Sequence, residues 1–251
     1  REVEERNMEK NQQEQKVIMY PKASEVFVDE RLACYFRPLL TFSHLHEGSV
    51  YQLHLLGTDG LYCEKEYKHA ENNFFGFRYV AGKYEFLGNL DVFGGGNVEE
   101  VHAYLQADFA QNKQEYLKDK VTLKAYKERI MDGLAELADF DVDYYVEGFY
   151  SYEFTKYHYE LTGEFRHITE LTEDWGHDDS DVLIDQETAR EMSGEFFMNL
   201  QWNVTHDYGI EESMVCGATE RFRFMSVIGG GTVFALLKPE EQTVYLLEYF
   251  S

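Results

Sequence analysis

Residues 97–138 read NVEEVHAYLQADFAQNKQEYLKDKVTLKAYKERIMDGLAELA and contain the clearest helical periodicity in this chain of 251 residues. Their apolar residues recur at the spacing of helices that bury one face. These residues are Val98, Val101, Leu105 and Phe109, then Leu123, Tyr126, Ile130, Leu134 and Leu137. Asn97 is a favourable N-cap, and Glu100 has the capping-box position. The pattern predicts two helices with a turn near residues 118–120, or one long helix.

Runs of Val, Leu, Phe and Tyr flank this helical segment and predict strands. The predicted strands are residues 50–56, 61–67, 74–80, 83–90, 195–202, 221–228, 232–237 and 243–249. Glycine-containing turns separate several neighbouring runs, which indicates antiparallel hairpins. We therefore expect an α+β fold, mainly antiparallel β-sheet in two halves, with a central helical segment at about residues 97–138.

Three other segments complete the expected organisation. Residues 24–36 fit an amphipathic helix in part, and a short helix is expected near residues 186–192. The tyrosine-rich residues 141–161 favour a strand because aromatic side chains alternate along them, although residues 157–161 could turn helical. The charged, amide-rich residues 1–16 predict a flexible lead-in. No Pro- or Ser-rich linker follows, so residues 17–251 are expected to form one domain.

Charge and cysteine usage limit the classes of function. Acidic residues number 47 against 23 basic ones, a net charge of −24. Nucleic acids and anionic membranes bind through Lys and Arg, so we expect neither as a direct partner. No apolar run approaches the roughly 20 residues of a transmembrane helix. Cys34, Cys63 and Cys216 have neither zinc-site nor disulfide-framework spacing, which favours a cytoplasmic protein.

The acidic excess suggests the leading functional hypothesis. Between Arg166 and Arg190 there is no Lys or Arg, and carboxylates accumulate. We predict an acidic interaction or inhibitor-type protein, immunity-like or a charge mimic, that binds a basic protein partner. Its predicted interaction residues are the carboxylates of that segment with two aromatic neighbours: Glu173, Asp174, Asp178, Asp179, Asp181, Tyr150 and Tyr152. A solvated loop without a partner is the simpler alternative.

A second hypothesis is a metal-dependent hydrolase. His44 and His46 are two residues apart, so both imidazoles face the same side if this segment is a strand. His177 and Asp178 would complete a site for a divalent metal ion. Ordinary surface histidines explain the same residues without a metal. A third hypothesis is a small-ligand binding module with a pocket between the sheets, lined by Tyr and Phe.

The glycine run before the long helical segment is a candidate anion site. Gly95, Gly96 and Asn97 lie between a predicted strand and a helix, where free backbone amides bind anions. However, no Walker lysine follows, and the spacing is not Gly-x-Gly-x-x-Gly. A strand-to-helix turn is the alternative. No Gly-x-Ser-x-Gly elbow is present, and Cys216 has no diagnostic partner pattern, so the sequence leaves open whether the protein is an enzyme.

Overall fold

A computed structural model describes residues 16–116, 123–168, 175–177, 181–199, 206–224 and 231–250. The strands within these ranges are β1 (Ile18–Met19), β2 (Arg37–His46), β3 (Ser49–Gly57), β4 (Ala70–Glu71), β5 (Phe74–Val80), β6 (Lys83–Phe86), β7 (Arg166–Ile168), β8 (Trp175–His177), β9 (Val215–Glu220), β10 (Thr232–Lys238) and β11 (Thr243–Tyr249). The α-helices are α1 (Ala23–Val26), α2 (Val98–Tyr116), α3 (Leu123–Leu137), α4 (Asp143–Thr162) and α5 (Gln186–Asn199). Short 3-10 helices span Glu30–Cys34, Leu90–Phe93, Glu212–Met214, Arg221–Arg223 and Pro239–Glu241.

These strands form three antiparallel sheets. The first has the order β1-β2-β3, the second runs β4-β5-β11-β10-β9 with β6 also paired to β5, and the third is the ribbon β7-β8. All pairings are antiparallel. The α+β prediction, with mainly antiparallel sheet and a central helical segment, is confirmed.

The second sheet is buried on both faces, which explains its continuous apolar runs. Val233, Ala235 and Leu237 of β10 pack into the large core shared with the first sheet and helices α2–α4. The alternate residues Phe234 and Leu236 pack into a smaller core that is covered by α5. Because successive side chains of a strand face opposite sides, a strand between two cores is apolar at every position.

Helix α4 corrects the strand expected at residues 141–161. Every residue from Tyr145 to Thr155 is buried, so no polar face marks the helical period. Tyr145 and Tyr152 donate hydroxyl hydrogen bonds to the backbone oxygens of Cys34 and Pro38, at 2.7 and 2.6 Å. These bonds fasten α4 to the start of β2. Although the central residues of α4 are buried, no described helix, α4 included, has the length and apolar character needed to span a bilayer.

Other boundaries also differ from expectation. The short helix expected near 186–192 is confirmed but continues to Asn199, so the strand prediction for residues 195–199 is wrong. Residues 221–223 are 3-10 helix, and the strand at this place is β9. Residues 61–66 form no strand and Tyr67 forms only an isolated bridge with Ala70, so β3 has β2 as its hairpin partner. Residues 24–36 divide into α1 and a 3-10 helix. Predictions for 1–15, 118–120, 200–202 and 225–228 lie outside the described residues.

Candidate functional site

Two exposed tyrosines contact each other beside the start of α4. Tyr62 is 51% exposed and Tyr144 is 50% exposed, and their ring centroids are 6.2 Å apart in an edge-to-face arrangement. Aromatic side chains of this size usually bury most of their surface, and Tyr is enriched in protein interfaces. The pair therefore provides a preformed aromatic contact on the surface.

Carboxylates occupy the segments next to this pair. We define the acidic face as the two tyrosines with six exposed carboxylates: Glu64, Asp91, Glu100, Asp139, Asp141 and Asp143. Lys127 contributes a positive charge here, but it bonds two carboxylates at once, Asp143 at 3.1 Å and Glu147 at 2.6 Å. Lys65 and Lys68 are exposed cations on the segment that follows Tyr62. The face remains strongly negative.

The glycine turn joins two parts of the acidic face. Gly94 and Gly95 have positive φ angles of 89° and 76°, which a residue with a side chain adopts only with strain. The Glu64 carboxylate packs directly against Gly94, and the nearest side-chain atom to Gly95 is an Asp91 carboxylate oxygen. The turn is therefore lined by the protein's own carboxylates, which would repel an incoming anion.

The start of α2 is also capped from within the protein. The backbone N–H of Asn97 donates to the Asp139 carboxylate at 2.6 Å, and Asp139 N–H donates to the Asn97 side-chain oxygen at 3.1 Å. The amide of Asn97 also donates to the Leu137 carbonyl, and Gly96 packs against the Phe140 ring. This arrangement replaces the expected capping box and joins α2 to the end of α3. The predicted anion-binding residues Gly95, Gly96 and Asn97 thus lie among carboxylates.

A buried ion cluster lies behind the tyrosine pair. Arg221 forms ion pairs with Asp59 at 3.2 Å and Glu248 at 3.7 Å, and all three residues are at most 3% exposed. Thr58 donates its backbone N–H and its hydroxyl to Glu248, at 2.8 and 2.6 Å. Burial raises the pKa values of Asp59 and Glu248, while the charge of Arg221 opposes the rise.

Backbone packing holds the loop of this cluster in place. Gly60 has a φ of 79°, and a side chain there would overlap the backbone of Tyr145 at the start of α4. Gly148, one turn further along α4, allows the close approach of Asp59. The glycine-containing turn between the predicted strands 50–56 and 61–67 is therefore a buried connection beneath the acidic face.

The predicted histidine pair lies at a separate cavity of about 310 Å³. His44 and His46 both face it from β2, with ring centroids 6.5 Å apart, as their spacing predicts. The opposite wall includes Arg190 from the first turns of α5. We call this cavity the basic pocket. It lies between the first sheet, α5 and the turn after β10, and none of its described lining residues is Tyr or Phe.

Electrostatics in the basic pocket disfavour extra positive charge and nucleophilic chemistry. Burial lowers the pKa of His44, and the nearby His46 and Arg190 lower it further. Cys216 also lines the pocket, and burial raises the pKa of its thiol to about 12. The thiol therefore stays protonated at neutral pH and is not an activated nucleophile.

The other predicted metal ligands are not brought to this pocket by the described backbone. His177 belongs to β8 and pairs with Arg166 in the separate ribbon, and Asp178 lies outside the described residues. No group of three or more His, Cys, Asp or Glu with metal-site geometry occurs in the part of the chain that the structure covers. The remaining histidine of this region, His54, bonds Thr41 and the Gly82 carbonyl inside the core.

The predicted interaction residues divide into three groups. Tyr150 and Tyr152 are core residues of α4, 0% and 4% exposed, so they present no contact surface. Asp181 is exposed, and its backbone carbonyl accepts a hydrogen bond from Arg223. The rest lie outside the described residues: Glu173, Asp174, Asp178 and Asp179.

Sequence reasoning missed Tyr62, Tyr144 and Arg190. Nothing distinguishes these two tyrosines from the other 17 among the 19 in the chain, because exposure depends on contacts between distant segments. Arg190 carried a weak signal, as the first basic residue after the acidic stretch. A comparison of the chain with protein-family models, curated proteins and solved structures finds no match. The chemistry of the acidic face and of the basic pocket is therefore inferred from their own residues.

Proposed function

We propose that this protein binds a basic protein partner through the acidic face, as an inhibitor or a mimic of nucleic-acid charge. One observation carries the proposal: two half-exposed tyrosines contact edge to face, and six exposed carboxylates lie on their own segments or on the glycine turn and helix start that contact these segments. Aromatic side chains supply lasting contact at the centre of interfaces, and surrounding charge accelerates and orients the encounter. The net charge of −24 adds long-range attraction for a cationic partner.

The buried ion cluster supports this use of the surface. It fixes the loop that precedes Tyr62, and α4, whose first turn carries Tyr144, packs on the same loop. Both tyrosines are therefore presented from rigid elements, which reduces the entropy lost on binding. A partner with a cationic active site or nucleic-acid groove has the complementary charge. The proposal includes a cytoplasmic location, which three free cysteines support.

The acidic segment between Arg166 and Arg190 stays a predicted second contributor to the same interaction. The metal-dependent hydrolase also stays a prediction, and metal analysis of the purified protein tests it. Its predicted ligands His44 and His46 share a pocket, but in the described residues they have no third ligand of metal-site geometry. The basic-partner proposal therefore has more support than the metal-dependent hydrolase.

The test is affinity capture with matched variants. Wild-type protein, the double variant Tyr62→Ser/Tyr144→Ser and the control Glu211→Gln/Glu212→Gln are immobilised and exposed to a cell extract. The control removes two exposed carboxylates that lie before β9, outside the acidic face. Retained proteins are compared at about 50 mM and about 500 mM salt, where charge screening differs strongly.

The expected partner is a basic protein retained by wild type and control at low salt and lost with the tyrosine variant or at high salt. Its purified form should then bind the tyrosine variant at least about tenfold more weakly, since a central aromatic contact contributes 1.4 kcal/mol or more, roughly. Retention of the same proteins by all three forms, indifferent to salt, would contradict the proposal.

A further inference from the structure

The basic pocket differs in charge from the rest of this acidic molecule. His44, His46 and Arg190 line it, while the one acidic side chain among its described lining residues is Glu240, which is exposed. Its volume of about 310 Å³ is at the lower end of the range for small-molecule sites. The pocket is therefore matched in size to a small organic molecule, and its polar lining favours a negative or hydrogen-bond-accepting group.

Among the described residues, backbone carbonyls and no carboxylate hold Arg190 in the pocket. Its Nε donates to the Val215 carbonyl at 3.2 Å, and its Nη2 donates to the Ser213 carbonyl at 2.5 Å. Backbone carbonyls are dipoles without net charge, and among the described residues Arg190 has no carboxylate within ion-pair distance. A guanidinium fixed in this way is preorganised to bind an anion, because little rotamer entropy remains to be lost.

His44 adds a neutral donor beside this cation. His44 is 8% exposed, and its lowered pKa keeps the imidazole neutral at pH 7. A neutral imidazole still has one N–H to donate, so His44 binds a carboxylate oxygen without needing a charge. The groups that face it are His46 on its own strand and Arg190 from α5. The pocket thus combines one cation with hydrogen-bond donors on neighbouring elements.

Apolar side chains also line the pocket. Met214 and Leu237 line it, and Cys216 donates its thiol to the Met214 carbonyl at 3.4 Å. The protonated thiol adds no charge and behaves as a small apolar group. A ligand with an anionic head alone would leave these side chains uncovered.

We propose that the basic pocket binds a small organic carboxylate, with the carboxylate on Arg190 and His44 and an apolar body against Met214 and Leu237. This function is independent of the acidic face, which would attract the opposite charge. Inorganic phosphate shares the anionic head but has no apolar body, so it should bind more weakly.

Three probes test the proposal by NMR of the histidine ring protons and by calorimetry: benzoate, its neutral analogue benzamide, and inorganic phosphate. Benzoate should bind saturably, at about millimolar affinity for a ligand of this size, and shift the resonances of His44 and His46. Benzamide should not bind, and phosphate should bind more weakly than benzoate. Equal binding of benzoate and benzamide, or no benzoate binding up to about 50 mM, would overturn the proposal.

Variants test the assigned contacts. Arg190→Gln should weaken benzoate binding at least about tenfold, because it removes a charge-assisted pair. Arg78→Gln is the matched control, since this arginine pairs with Glu85 on β5 and β6 away from the pocket. An unchanged affinity of Arg190→Gln for benzoate would show that Arg190 does not contact the carboxylate. If that variant fails to fold because Ser213 and Val215 lose their bond, the next pair of variants carries the test.

Glu240→Gln removes the one acidic group in the pocket lining, whereas Glu241→Gln removes its exposed neighbour, which pairs with Lys238. An anionic ligand should bind Glu240→Gln roughly two- to fivefold more tightly, through loss of repulsion near the surface. It should bind Glu241→Gln as it binds wild type. If the histidines held a metal ion instead, zinc would bind wild type more tightly than benzoate does, and zinc would bind Glu240→Gln more weakly than wild type. These two results would overturn the carboxylate proposal in favour of a cation site.

Discussion

The carboxylates of the buried ion cluster are shielded from water, whereas those of the acidic face are solvated. Asp59 and Glu64 differ in this way although they are close neighbours in sequence. Asp59 is 1% exposed and needs Arg221 as a partner, whereas Glu64 is solvated and lies against Gly94. A buried charge is expensive unless it is paired, but an exposed one costs almost nothing. Buried carboxylates here therefore hold the fold in place, and exposed ones remain available to a partner.

The largest effect should come from breaking the buried side of this contrast. We expect Asp59→Asn to lower the free energy of unfolding by about 2–3 kcal/mol, because Arg221 loses its nearer charged partner and keeps only the longer pair with Glu248. Urea denaturation monitored by circular dichroism measures the change. The control Asp91→Asn, on the acidic face, should stay within about 0.5 kcal/mol of wild type. Equal effects of the two variants would contradict the division between structural and available carboxylates.

Acid should act on buried polar groups before it neutralises the acidic face. Burial lowers the pKa of His54 to about 4, against 6.5 in an unfolded chain. Between these values the unfolded chain holds a proton that the folded one does not, so stability falls as the pH falls from 6.5 towards 4. This imidazole, which packs against Tyr84 with Glu25 as its charged neighbour, should contribute about 2 kcal/mol to the loss between pH 7 and pH 5.

His54→Gln separates this contribution from those of other groups. The variant is less stable at both pH values, but its stability difference between pH 7 and pH 5 should be smaller than that of wild type by about 2 kcal/mol. Denaturant titrations at the two pH values supply the measurement. An unchanged difference would mean that His54 does not titrate with a lowered pKa in the folded protein.

Asn97 connects the acidic face to the helices behind it, so its removal should have an intermediate effect. We expect Asn97→Ala to cost about 1–2 kcal/mol, because the backbone N–H of Asp139 and the Leu137 carbonyl both lose a side-chain partner. Thermal unfolding measures this loss. Asn89→Ala, which removes one cap of a short 3-10 helix, is the comparison and should cost less.

The smallest effect on stability should come from the tyrosine pair. Tyr62→Ser should change the free energy of unfolding by less than about 1 kcal/mol, because half of the side chain is already in water. Partner binding should nevertheless fall as described above. A loss of several kcal/mol in urea denaturation would show that the pair belongs to the core and not to a binding surface.

Prediction from sequence succeeded where an element meets water on one side or where a tight turn separates two apolar runs. The strands at residues 74–80 and 243–249 and the helical segment that begins after Asn97 appear where the pattern indicates them. It failed for α4, whose central residues are buried on all sides and therefore show no helical period. His44 and His46 do face one pocket, as their spacing predicts, but Arg190 opposite them comes from a distant segment.

The amino-acid sequence by itself determined the charge of −24, the alternation and helical spacing of half-buried elements, and the same-face placement of the two histidines. Only the tertiary structure decided which carboxylates are buried with arginines and which tyrosines reach solvent. It also decided that Arg190, which has no carboxylate partner among the described residues, lines the same pocket as the histidine pair. The physical reason is that burial and pairing depend on contacts between residues far apart in the chain. Local periodicity, by contrast, records only how each segment faces the core.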